Sequence, residues 1–174
     1  PTVKPTKAPT PPPTPTPAPE VEFSVDGGIY TKALEVKITT KPGYTIYYTT
    51  DGSDPKVSGK KYTTPITVQN STGSAGPLTK SIASTSRPKY SAPSSQMVGT
   101  VIKAYAKSGT DKTDVYTNTY IVSSSFTSNY KLPSVSISLK PSDFATNTGI
   151  YVSVMNHPFA TKERKVAFFE LFDR

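Results

Sequence analysis

Leu34-Glu-Val-Lys-Ile-Thr-Thr-Lys-Pro-Gly-Tyr-Thr-Ile-Tyr-Tyr-Thr-Thr-Asp-Gly52 is the stretch whose pattern decides the fold class. Leu34, Val36 and Ile38 alternate with Glu35 and Lys37, which is the period-two signature of a half-buried strand. Lys41-Pro-Gly43 ends that run. Thr45-Ile-Tyr-Tyr-Thr-Thr50 is a second β-prone run, and Asp51-Gly52 supplies a turn that tolerates left-handed backbone. Working outward, Ile66-Thr-Val68, residues 99–107 and residues 115–122 read as three further strands, the last two separated by Ser108-Gly-Thr-Asp111. Nothing in 21–123 sustains a helical period.

Several short strands with turn signals between them predict an all-β chain, an immunoglobulin-like antiparallel β-sandwich of seven strands in two sheets over residues 21–123. Alternation assigns its core to Leu34, Val36, Ile38, Ile46, Tyr48, Ile66, Val68, Ile102, Ala104 and Ala106, with some of Val115, Tyr120 and Val122.

Around this body the composition changes twice. Nine of the 18 prolines fall in residues 1–19, a Pro/Thr tract without aromatic side chains that cannot build a core and reads as an extended polyproline linker over 1–20. No charged and apolar leader follows Pro1, so any export signal is expected to have been removed or to lie upstream. Beyond the spacer that begins at residue 124, Leu132-Pro-Ser-Val-Ser-Ile-Ser-Leu139 and Gly149-Ile-Tyr-Val-Ser-Val154 read as strands of a separate unit, and Val166-Ala-Phe-Phe-Glu-Leu-Phe172 is apolar on both faces. This unit, 124–174, is near the lower size limit for independent folding. The run at 168–172 is therefore expected to pair with strands beyond Arg174 and to be an aggregation-prone edge here.

The 20 basic and 12 acidic residues leave a net charge of +8, divided as +1 in 1–20, +5 in 21–130 and +2 in 131–174. Such a spread lacks the clustered stripe of a duplex binder, so no nucleic acid partner is expected. The longest wholly apolar run is the four residues 166–169, far short of the roughly 20 that cross a bilayer, so no membrane span is expected. With no cysteine there is no disulfide scaffold, thiolate zinc site or cysteine nucleophile.

Catalytic chemistry has no local support. Phosphate-cradling loops of the common kinds do not occur, and the one histidine, His157, has no second ligand near it in the sequence. Asp51 and Asp54 fail the spacing of a calcium loop and read as Asx-turn residues. No catalytic, cofactor-binding or metal-binding residue is assigned, and no cofactor is expected. The 11 tyrosines raise carbohydrate binding, because a flat ring can stack on a sugar as well as fill a core. The candidates are Tyr30, Tyr44, Tyr47, Tyr62 and Tyr90, with core or cross-strand packing as the competing reading.

The segments Pro42-Gly-Tyr-Thr-Ile-Tyr-Tyr-Thr-Thr-Asp-Gly-Ser-Asp-Pro55, Lys61-Tyr-Thr-Thr-Pro-Ile-Thr-Val68 and Gly99-Thr-Val-Ile-Lys-Ala-Tyr-Ala106 together resemble the chitobiase/β-hexosaminidase C-terminal type of domain. The resemblance implies an immunoglobulin-like, non-catalytic accessory module, with residues 70–97 as an insertion. Leu132-Pro-Ser-Val-Ser-Ile137, Pro141-Ser-Asp-Phe144, Gly149-Ile-Tyr-Val152 and residues 163–172 are similar to the opening of a spore coat protein H (CotH) kinase-like domain. That similarity implies a bacterial, secreted or cell-surface, multi-module parent whose nucleotide- and metal-binding residues would lie downstream, so this chain is expected to have no kinase activity. The expected partners are the adjacent domain of the same polypeptide, a polysaccharide or cell-wall glycan, and a second copy pairing at open strand edges.

Overall fold

A computed structural model describes residues 20–73, 95–129, 132–140, 143 and 166–172. The Pro/Thr tract before Glu20, most of the insertion, Tyr90, His157 and the second expected strand at 149–154 lie outside the described residues.

The chain is an all-β sandwich. One layer is a six-stranded sheet in which β5 (Thr45–Thr49), β8 (Thr100–Ser108) and β10 (Tyr116–Val122) form the centre, β6 (Lys60–Lys61) and β2 (Gly28–Tyr30) the edges, and β9 (Asp111–Lys112) a short addition to β8. The facing layer joins β1 (Val21–Phe23) to β4 (Ile38–Thr40) and β3 (Leu34–Val36) to β7 (Ile66–Val68). The strand expected over 34–40 is thus divided at Lys37, whose backbone N–H donates to Ser24 Oγ at 2.9 Å and whose carbonyl accepts from Ser24 N–H at 2.9 Å.

Alternation places the core where the residue pattern put it. Val36, Ile38, Ile66 and Val68 from one layer meet Ile46, Ile102, Ala104, Ala106, Tyr120 and Val122 from the other, and Leu34 and Tyr48 pack at the margin. Each large side chain buried in this way contributes on the order of 1.5 to 3 kcal/mol. Val115 is off phase. Tyr116 lies opposite Ala104 on the inner face, so Val115 falls on the outer side, beside Phe168.

Two features depart from the expected sandwich. The sheet is not wholly antiparallel, because β2 runs parallel to β10 in the register Gly28↔Tyr120 and Tyr30↔Val122. The first extended segment starts as β1 in one layer and crosses at Asp26-Gly27 to continue as β2 in the other, which brings it alongside the last strand in the same direction. The second departure is that the carboxyl-terminal run already has a partner on one edge. Phe168–Phe172 (β12) finds its partner inside the chain, pairing antiparallel with Ser134–Ser138 (β11) from Ser134↔Phe172 to Ser138↔Phe168. Ser134, Ser136 and Ser138 of β11 share the side of this ribbon that faces the sandwich.

Two one-turn helices complete the described chain: α1 (Pro55–Ser58), after the Asp51-Gly52 turn, and α2 (Phe126–Asn129), which follows β10. Gly52 has φ of 77°, the left-handed backbone that the Asp-Gly dipeptide predicts.

Candidate functional site

The even-numbered positions of β8 face the core, so its odd positions, Lys103, Tyr105 and Lys107, share the outer face of the six-stranded sheet. Ile46 and Tyr48 point inward on β5, which sends Tyr47 outward to a position directly opposite Tyr105. The two rings stack with centroids 5.7 Å apart and planes 25° apart. Lys107 Nζ lies 4.8 Å from the Tyr47 ring centroid, and Lys56 Nζ, from α1, lies 5.8 Å from that of Tyr105. The result is a cation, ring, ring, cation array. Tyr105 is 6% exposed, while Tyr47 is half-buried and carries the accessible part of the array.

The other tyrosine candidates are dispersed. Tyr30 packs on Tyr120 with centroids 6.2 Å apart and its hydroxyl donates to the Asp26 carbonyl at 2.6 Å; burial, then the Asp26 charge, raises its pKa. Tyr62 meets Tyr48 edge to face, and its hydroxyl accepts the Ile38 N–H at 3.1 Å. Tyr44 also packs against the core. The structure therefore does not gather Tyr30, Tyr44, Tyr47 and Tyr62 into one platform, and Tyr90 lies outside the described residues. Tyr105 was absent from the sequence candidates, although the core phase of Ile102, Ala104 and Ala106 already puts it on the same side as Lys103 and Lys107.

Next to this array the β11/β12 ribbon lies on the outer face over Thr119 and Lys103. The side that docks carries Ser134, Ser136, Ser138 and Glu170 together with Phe168 and Phe172. Thr119 N–H donates to Glu170 Oε1 at 2.7 Å, Thr119 Oγ1 donates to Glu170 Oε2, and Ser136 Oγ donates to Thr119 Oγ1 at 2.9 Å. Phe168 lies over Lys103, whose Nζ is 4.8 Å from the ring centroid, and Lys140 Nζ is 3.5 Å from Asp54 Oδ2. These groups and Asp143 line a cleft of about 420 Å³ between ribbon and sandwich. Burial there pushes the Lys103 ammonium below its ordinary pKa and Lys140 adds to the shift, while Asp54 and Asp51 oppose it. The other side of the ribbon, with Val135, Ile137, Phe169 and Leu171, is more than half exposed at each residue.

The two aspartates of the Asp51-Gly-Ser-Asp54 turn are engaged locally. Asp51 Oδ1 accepts from Ser53 N–H at 3.0 Å and Ser53 Oγ at 2.6 Å, and the Ser53 hydroxyl is the main cause of the lowered Asp51 pKa. Asp54 caps α1 by accepting from Lys56 N–H at 2.9 Å. The turn reading of both residues follows from these bonds.

The architecture defines a β-sandwich module with a docked β-ribbon. Within it, the family model of the chitobiase/beta-hexosaminidase C-terminal domain matches residues 25–74. That span holds the tyrosine-rich turn and the strand at 66–68, and it stops before the 99–106 segment. No curated protein matches the chain. Among the described residues, no helix is long and apolar enough to cross a membrane.

Proposed function

We propose that this chain is a non-catalytic accessory module of a secreted bacterial multi-module protein, in which the sandwich holds the unit that follows it. The observation that carries this reading is the ribbon junction. Glu170 and Ser136 by hydrogen bonds, and Phe168 by its ring over Lys103, fix β11/β12 to the outer sheet, while Val135, Ile137, Phe169 and Leu171 face away from it. A domain support needs this arrangement: a buried, hydrogen-bonded joint on one side and an apolar surface for further packing on the other. The match of residues 25–74 to the C-terminal domain of a glycan-processing enzyme family supports the accessory and carbohydrate-related part. Secretion rests on the Pro/Thr tract, and the kinase-like neighbour on the sequence similarity of residues 132–137 and 163–172.

Amide hydrogen exchange on the intact chain tests the support role. Protection in Ser134–Ser138 and Phe168–Phe172 within about 1 kcal/mol of that in β8 is expected if ribbon and sandwich open together. Exchange of those ten residues at the rate of an unstructured peptide would sink it.

A second reading is favoured by the Tyr47/Tyr105 array: the outer sheet binds glycan through Tyr47. Retention on glycan that disappears in Tyr47→Ser supports it, and retention unchanged by that substitution defeats it.

A further inference from the structure

The outer face next to the ribbon holds more positive charge than folding calls for. Lys61 is directly opposite Tyr47 across the β5/β6 pair, and Lys112 is directly opposite Lys107 across the β8/β9 pair. Residues directly opposite in an antiparallel pair project to the same side. Lys56, Lys61, Lys107 and Lys112 therefore surround the Tyr47 and Tyr105 rings on one surface. Among the described residues none of the four is in an ion pair; the pair that does form, Lys140 with Asp54, lies in the ribbon cleft. Like charges directly opposite on neighbouring strands are destabilising. The Lys107 and Lys112 placement thus works against the fold unless an anion lies over it.

The lateral order β6, β5, β8, β9 carries Lys61 at one side and Lys112 at the other, so the cations span three strand spacings, about 14 Å. Between them lies one accessible ring, Tyr47, with the Lys107 ammonium held above it. That arrangement suits an extended chain laid across the strands with an anionic group on successive units and one flat, partly apolar ring for Tyr47 to face.

We propose that this face binds an acidic polysaccharide, with sugar carboxylates paired to Lys56, Lys61, Lys107 and Lys112 and one sugar ring against Tyr47. The proposal rests on the glycan-binding reading given above and specifies its ligand class. A carboxylate draws Lys107 off the Tyr47 ring and exposes that ring to the sugar. A neutral glycan would have to displace the same ammonium without any charge to receive it, so the cation over the ring selects for an acidic chain.

The test uses the full chain and three immobilised probes: polygalacturonate, neutral N-acetylchitohexaose and oligothymidylate. Binding to polygalacturonate is expected to weaken with added salt and to fall about tenfold in the double variant Lys107→Gln, Lys112→Gln, two lost charge contacts being of that size. Lys32→Gln, a lysine at an exposed site after β2, is the control and should leave binding unchanged. Both lysines of the double variant lie outside the core, and a melting temperature no lower than that of the parent shows that it folds. Polygalacturonate binding insensitive to the double variant overturns the proposal, as does equal binding to oligothymidylate. Binding to the neutral probe alone overturns it too while leaving the glycan-binding reading intact, and binding to no probe removes both.

Discussion

Glu170 and Thr119, 51 residues apart in the chain, are joined by two hydrogen bonds to one carboxylate. Thr119 is one residue before the parallel pairing of β10 with β2 begins at Tyr120, so Glu170 occupies the place where a neighbouring strand would have supplied the acceptor. Glu170→Ala leaves a buried N–H and a buried hydroxyl without that acceptor. It is expected to cost about 1 to 3 kcal/mol in urea unfolding and to accelerate exchange of the Thr119 amide. An unchanged Thr119 exchange rate would show that the carboxylate does not hold the ribbon.

Gly27 lies under the same contact. A Cβ built there would stand 2.6 Å from Glu170 Oε1 and 3.0 and 3.1 Å from the Thr119 backbone O and N, and the backbone of a central strand cannot retreat as a side chain can. Gly27→Ala is expected to lose about 1 to 3 kcal/mol of stability through overpacking, against a near-neutral Gly73→Ala, where no atom lies within 4 Å. Because part of the clash is with Glu170, the cost should shrink in a Glu170→Ala background. Purely additive losses in that double-mutant cycle would place the clash elsewhere.

The sandwich was legible because one signal, alternation, fixes both the strands and the face that each residue takes. Val36, Ile38, Ile46, Ile102, Ala104 and Ala106 are all in phase with the core. The short strands β1 and β2 were not, because three residues carry less than two periods of alternation, and the parallel pairing of β2 depends on the crossing at Gly27, a tertiary event. The ribbon was half legible. Val135 and Ile137 do share a side, but which side faces the sandwich depends on Glu170 reaching Thr119, and no local pattern encodes a contact of that separation. Of the tyrosine candidates, Tyr47 lies on the outer face. Tyr30, Tyr44 and Tyr62 pack against the core, where an aromatic body is buried and the hydroxyl can still find a polar partner.

Lys103 is 4% exposed and sits under Phe168 with a lowered pKa. With the folded value below the unfolded one, the unfolded chain binds the extra proton in the window between them. Stability from this group therefore rises as pH climbs from the folded pKa toward about 10.5. At neutral pH the buried ammonium works against folding, partly offset by the Phe168 ring. Lys103→Met, which keeps the stem and discards the charge, is expected to be at least as stable as the parent at pH 7 and to lack the alkaline rise. A loss above about 2 kcal/mol at pH 7 would show that the cation is a net contributor at the joint.

Tyr120 gives the opposite slope. Its side chain is fully buried, the hydroxyl donates to the Val25 carbonyl at 2.7 Å, and burial pushes its pKa from 10.0 up to about 12. A phenol that ionises more readily in the unfolded chain contributes stability that is fully present below pH 10 and is lost as pH rises toward 12. The loss is on the order of 2 kcal/mol for a shift of this size. Tyr120→Phe forfeits the bond to Val25, about 1 kcal/mol at pH 7, but also removes the ionisable group. The stability difference between parent and variant should then shrink between pH 10 and 12 and change sign if the loss exceeds the value of the bond. Lys103 is present in both chains, so its opposing slope cancels in that difference. A difference curve that stays flat across this range would mean that the phenol titrates alike in both states.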